Sequence, residues 1–216
     1  MQRVLIAIGA AFVLLAGAAS PASAKLEELG AMEATVKGSC PDKECRAITR
    51  TTAYQAKVGE KRGLMTVPRD GRIVAFTLAL GKPGPKQAEF FTQTFGGAAQ
   101  AALVILRPGK KLNYTVVAKG PMTTLTDYFG QVAQFPLVNT LRVRKDDVVG
   151  ITVPTWAPLL QLGLAGDTSW RSSQAKDACA DTQTQSALLG SKNAAQFACL
   201  FRNQRVTYSA TLISTP

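Results

Sequence analysis

The sequence predicts an all-β chain: an antiparallel, jelly-roll-like β-sandwich with one or two short helices in its loops. Three observations carry that reading. Segments of strand length recur in which apolar and polar residues alternate with period two, the repeat of a strand that buries one face. Gly, Pro, Asn and Asp stand between those segments, where turns need them. Helical spacing shows in only two places, and glycine interrupts both.

The chain opens with Arg3 and an uncharged apolar run from Val4 to Ala19. Ser20-Pro21 then breaks any helix, and the small-x-small triplet Ala22-Ser23-Ala24 follows. This order predicts a cleavable export signal over residues 1–24, cut before Lys25. The apolar run is shorter than the roughly 20 residues that span a bilayer, so it reads as a leader and not an anchor. Later apolar runs are strand-sized, so no membrane span is expected after cleavage, and the protein is expected to be secreted. Residues 25–44 read as an N-terminal extension and residues 45–216 as one sandwich domain, with no linker or fixed-period repeat dividing them.

Within the domain, "RAITRTTAYQAKV" is a rough first strand that groups Tyr54, Ala56 and Val58. In "RIVAFTLAL", Val74, Phe76, Leu78 and Leu80 are expected on one face and Ile73, Ala75, Thr77 and Ala79 on the other. "KQAEFFTQTFGGAAQ" has helical spacing up to its Gly-Gly. "AALVILRP" is apolar on both faces, as in a central strand covered on each side. Pro108-Gly109 then turns it into "KLNYTVVAKG", the clearest hairpin in the chain. "LVNTLRVRKDDVVGITVP" reads as two strands about a turn at Lys145-Asp146-Asp147. Leu141 and Val143 point inward, Arg142 and Arg144 outward, and Val149, Ile151 and Val153 line a buried face. "DTQTQSALLGSKNAAQFACL" reads as a long excursion with a helical turn or two, tied at its base by cysteines. "RVTYSATLI" closes the domain with Val206, Tyr208, Ala210 and Leu212 inward.

The set "GRIVAFTLALG", "ALVILRPG", "VRKDDVVGITVPTWAP" and "FRNQRVTYSATLI" resembles secreted jelly-roll-like β-sandwich proteins of bacteria, over most of residues 45 to 215. Some of that group are carbohydrate- or surface-binding modules. The resemblance lies in strands and turns. It implies a fold and a compartment, and it carries over no ligand or catalytic residue.

Four cysteines in an exported chain favour disulfides, since nothing outside the cytosol keeps thiols reduced. Three connectivities are open, and proximity favours Cys40–Cys45 with Cys179–Cys199. A zinc site would need closely spaced pairs on both sides; Cys179 and Cys199 are too far apart in sequence, and the chain has no histidine. Cys40-x4-Cys45 is not the Cys-x-x-Cys of a redox enzyme.

The absence of histidine excludes Ser-His-Asp and Cys-His catalysis. No Ser-x-x-Lys motif is read at a helical start, so no catalytic residue is assigned. Asp146 and Asp147 are read as capping their turn, both facing water. Asp167, Asp177 and Asp181 are the one local excess of acid and a candidate calcium site, no other cofactor being expected; Arg171 and Lys176 lie between them. Trp156 and Trp170 sit in loop-like surroundings, where each either stacks on a sugar ring or anchors its loop in the core.

The charge is +11, from 25 Lys and Arg against 14 Asp and Glu, with the basic residues dispersed. Such a field attracts polyanions and also serves plain solubility. A secreted non-catalytic binding or surface protein is therefore expected, with a glycan or anionic cell-envelope polymer as partner and Trp156, Trp170, Arg142 and Arg144 as candidate contacts. The alternatives are an extracellular hydrolase pairing Asp167 or Asp177 with a distant acid, and a structural or assembly component of the cell surface. Nucleic acid is not expected as a partner.

Overall fold

A computed structural model describes residues 24–42, 44–181 and 185–214. Apart from Ala24, the expected leader therefore lies outside the described residues. Their secondary structure is mostly antiparallel β. In chain order the strands are β1 (Leu26–Leu29), β2 (Ile48–Val58), β3 (Lys61–Arg62), β4 (Gly71–Ala79), β5 (Gln100–Pro108), β6 (Asn113–Lys119), β7 (Thr123–Thr124) and β8 (Val132–Val143). They continue with β9 (Val148–Ala157), β10 (Leu160–Gln161), β11 (Ser169–Ser172), β12 (Ala194–Gln196), β13 (Cys199–Arg202), β14 (Arg205–Val206) and β15 (Tyr208–Ser214).

The strands form two principal sheets. The smaller runs β1-β15-β4-β8, and the larger β12-β6-β5-β9-β2-β11-β13, with β3 beside β2 and β7 beside β5. Their facing sides form one core, in which Ile73, Phe76, Leu78 and Leu212 of the smaller sheet join Leu103, Ile105, Val149 and Ile151 of the larger. Tyr208 ties the layers together: its hydroxyl donates to the Val149 carbonyl at 2.9 Å across the interface. The expected sandwich-like fold is what these residues build.

Several sequence expectations are met residue by residue. Leu141 and Val143 are buried while Arg142 and Arg144 are exposed. Val206, Tyr208, Ala210 and Leu212 are all core residues. The hairpin of β5 and β6 forms, with a 3-10 turn at Lys110–Leu112 between the strands. β5 is buried on both sides from Ala101 to Leu106. One side faces the smaller sheet. The other lies on the side where the 173–198 excursion crosses the larger sheet, and Leu188, Ala195 and Phe197 of that excursion join the core.

Other expectations are corrected. In β4 the alternation changes phase: Ile73 is inward along with Phe76 and Leu78, and Val74 is not. The cause is a bulge, since Ile73 pairs with Leu141 but Ala75 pairs with Pro136, leaving residues 137–140 of β8 looped out opposite Val74 alone. The turn at residues 145–147 does join two strands, as read, and it carries the chain from one sheet to the other. The segment read as an extension includes an edge strand of the smaller sheet, β1, paired with β15.

Helix α1 spans Pro85–Phe95, starting on a proline that needs no N–H partner and ending at Gly96 in the left-handed region (φ 85). Gly-Gly thus terminates the helix where the sequence suggested an interruption. No described helix is long and apolar enough to cross a membrane.

Both disulfides form as proximity favoured: Cys40–Cys45 and Cys179–Cys199, with no free cysteine among the described residues. Two such bonds belong to an oxidising, extracellular-type environment.

Candidate functional site

The candidate site grows from the outward row of the smaller sheet. Pairing in register places Leu26 of β1, Ile213 of β15, Arg72 of β4 and Arg142 of β8 side by side across four strands. Arg72 and Arg142 are direct cross-strand partners, and like charges in that position repel. The fold tolerates the pair because both side chains are exposed, where water screens them.

Arg72 is held in place by Thr140 of the β8 bulge: its Nε donates to Thr140 Oγ1 and a terminal nitrogen donates to the Thr140 carbonyl. Arg142 makes no side-chain hydrogen bond or ion pair among the described residues, and Arg144 next along the chain is equally free. A shallow cleft of about 240 Å³ opens at Arg72 and Arg142, lined also by Asp70, Gly71 and Val143. Asp70 is its one acid among the described residues, and that carboxylate accepts the Lys145 backbone N–H at 2.8 Å.

A second cluster shows what the turn at residues 145–147 does. Asp146 is exposed with φ 69, but Asp147 is 1% exposed, which corrects the expectation that both face water. Its carboxylate takes Arg107 Nε and a terminal nitrogen at 2.9 and 3.0 Å, and the Arg144 backbone N–H at 2.9 Å. The Asp147 bond is the main cause of an Arg107 pKa raised above the ordinary value. The capping role read from sequence stands; the ion pair that buries Asp147 gave no sequence signal, because Arg107 lies forty positions away.

The predicted contacts do not converge on one place. Trp156 is 1% exposed, packed against Phe91 and Phe129 at centroid distances of 5.0 and 5.5 Å, and its Nε1 donates to the Gly97 carbonyl. It anchors α1 to the core and leaves no ring face for a sugar. Trp170 is 5% exposed and stacks on Phe201 at 4.3 Å, so one ring face is covered. With Ile48, Leu160 and Phe201 it lines a separate, mainly apolar cleft of about 220 Å³. Arg142 lies in the smaller sheet and Arg144 just past the end of its strand β8, whereas Trp156 and Trp170 lie in β9 and β11 of the larger.

The aspartates are also dispersed. Asp167 precedes β11, while Asp177 and Asp181 follow it, and a strand advances about 3.3 Å per residue. Among the described residues no group of three acids or other metal-binding side chains comes together, so these three do not make a calcium cage. Ser173 and Lys176 do have Ser-x-x-Lys spacing, ahead of a single 3-10 turn. The Ser173 hydroxyl, however, accepts the Thr52 N–H at 3.0 Å and meets Thr51 Oγ1 at 3.3 Å, so it is occupied as structure.

One further cleft was not foreseen. Where β2, the 62–66 segment and β6 meet, Tyr54, Gln55, Arg62, Thr66, Tyr114 and Arg171 surround about 240 Å³ of largely polar space. Nothing in the linear sequence brings these residues together.

Comparison with known proteins gives no relative: no family model, no curated protein and no solved structure matches this chain.

Proposed function

We propose that the protein is exported and acts as a non-catalytic binding or surface protein whose partner is an anionic cell-envelope polymer, engaged through Arg72, Arg142 and Arg144. The observation that carries this reading is the cross-strand pair Arg72–Arg142 on an exposed sheet face, with Arg144 just beyond the strand end, where the side chains of Arg142 and Arg144 have no partner among the described residues. Guanidinium groups presented this way match phosphate and carboxylate groups repeated along a chain. The excess of basic residues over the whole molecule adds long-range attraction. Export is supported by the leader-like first 24 residues and by the two disulfides. An anionic polymer is favoured over a neutral glycan because Trp156, one of the two expected stacking residues, is in the core.

Retention on immobilised anionic envelope polymer at rising salt tests this. Arg72→Ala/Arg142→Ala should lose most of the low-salt retention while leaving the melting temperature unchanged. Retention unchanged in that variant, or none at low salt by the parent protein, overturns it.

A further inference from the structure

The cleft at the end of the larger sheet is a different kind of site from the arginine row. Its floor is aromatic. Tyr54 and Tyr114 lie 5.3 Å apart, and Phe197 packs on both at 5.6 and 5.1 Å, which fixes where the two phenols point. Their hydroxyls meet at 3.0 Å. Two hydroxyls carry two protons and this bond uses one, so the pair retains a proton to donate elsewhere. Burial, then the bond to Tyr114, raises the Tyr54 pKa well above the ordinary phenol value, so this hydroxyl stays neutral and protonated.

The walls are cationic. Arg171 pairs with Tyr54 in register between β11 and β2. One terminal nitrogen donates to the Phe197 and Ala198 carbonyls at 3.1 and 3.2 Å, which pins the guanidinium. Its Nε and other terminal nitrogen keep their protons unused among the described residues. Arg62 enters from β3, its side chain exposed and without a partner among the described residues, and Thr66 adds a hydroxyl. Among the described residues no carboxylate lines the cleft. Glu60 sits in the turn before β3, and Lys57 and Lys61 flank it, so the neighbourhood is also basic.

We propose that this cleft binds a single tetrahedral oxyanion, a phosphate or sulfate ester group, between the Arg62 and Arg171 guanidiniums with the Tyr54–Tyr114 hydroxyls beneath it. Donors arrive from two walls and the floor, which suits an anion with oxygens in three dimensions better than a flat carboxylate. A cavity of about 240 Å³ is smaller than the ~300–1,000 Å³ of drug-sized ligand pockets, so it takes one charged group and little more of the molecule that carries it.

Calorimetric titration of the disulfide-bonded protein with inorganic phosphate, inorganic sulfate and acetate, at constant ionic strength set by chloride, tests the proposal. Saturable binding of phosphate, sulfate or both, with acetate markedly weaker, is expected, and the preferred anion identifies the ester. Arg62→Ala, at an exposed position, should weaken it about tenfold with the melting temperature unchanged, and Tyr114→Phe should weaken it less. Arg142→Ala should not alter it, which separates this site from the arginine row. Absence of saturation, acetate binding as tightly as phosphate, or an Arg62→Ala variant that binds as the parent does overturns it.

Discussion

Thr52 and Thr152 face each other on β2 and β9 with their hydroxyl oxygens 2.8 Å apart, and Leu188 completes both. The Leu188 N–H donates to Thr52 Oγ1 at 2.8 Å, and Thr152 Oγ1 donates to the Leu188 carbonyl at 3.2 Å. Each hydroxyl has one proton, so the direction of the loop is set: Leu188 N–H to Thr52, Thr52 to Thr152, Thr152 back to the Leu188 carbonyl. Two threonines in the sheet thereby dock the excursion that covers it.

Thr152→Val keeps the shape and removes the middle of that loop. It leaves the Thr52 proton and the Leu188 carbonyl without partners, at a cost of about 1–3 kcal/mol. Chemical denaturation should show this loss, and hydrogen exchange should show a faster Leu188 amide than in the parent.

The Cys179–Cys199 bond closes the same excursion across a separation of 20 residues, against 5 for Cys40–Cys45. On the loop-entropy model, replacing the first pair by alanine costs about 3 kcal/mol and the second about 2 kcal/mol. Denaturant titration of the two double variants should preserve that order, and only loss of Cys179–Cys199 should open residues 185–198 to protease.

Asp147→Asn replaces a carboxylate that accepts three hydrogen bonds by a group offering one oxygen and an N–H₂. Arg107 is 40% exposed, so solvent softens the loss of its partner. A cost of about 2 kcal/mol is expected from thermal unfolding, and Asp146→Asn on the exposed neighbour should cost far less.

Tyr208 and Tyr54 set an alkaline limit. Burial raises both phenols above their ordinary value; for Tyr208 the bond to the Gln55 backbone and the nearby Arg205 oppose it only in part. A folded pKa above the unfolded one means the folded state holds the proton longer. The stabilisation is complete below the unfolded value of about 10 and is lost as pH rises beyond it. Denaturant midpoints should be nearly flat with respect to these two groups up to about pH 9 and fall above pH 10, and Tyr208→Phe should flatten that fall.

The sequence made the sandwich legible where burial on one or both faces leaves a periodic trace. β9 and β15 read correctly down to individual inward residues, and the both-sided apolar character of β5 matches a strand with a cover on each side. It did not announce the bulge in β8, because a looped-out stretch leaves each flanking run with its own valid alternation; only the pairing partner reveals the slip at Val74. The candidate site was half legible. Arg142 and Arg144 point outward as their alternation with Leu141 and Val143 requires, but Arg72 comes beside Arg142 through a pairing seventy positions apart in sequence. In sequence Trp156 is open to a stacking or an anchoring role, and long-range contacts with Phe91 and Phe129 decide for the core. The Tyr54–Tyr114–Arg171 grouping left no local trace at all, since three separate strands supply it.

The outer rim of β8 bears on how the protein behaves when concentrated. Its ladder on that side is open, yet Pro136 has no N–H to offer a newcomer, and the loop of residues 137–140 lifts Val138, 97% exposed, out of line. A foreign strand would find no continuous run of donors and acceptors to template on. This rim should therefore resist the edge-on stacking that seeds fibrils, even though a valine stands fully in water there.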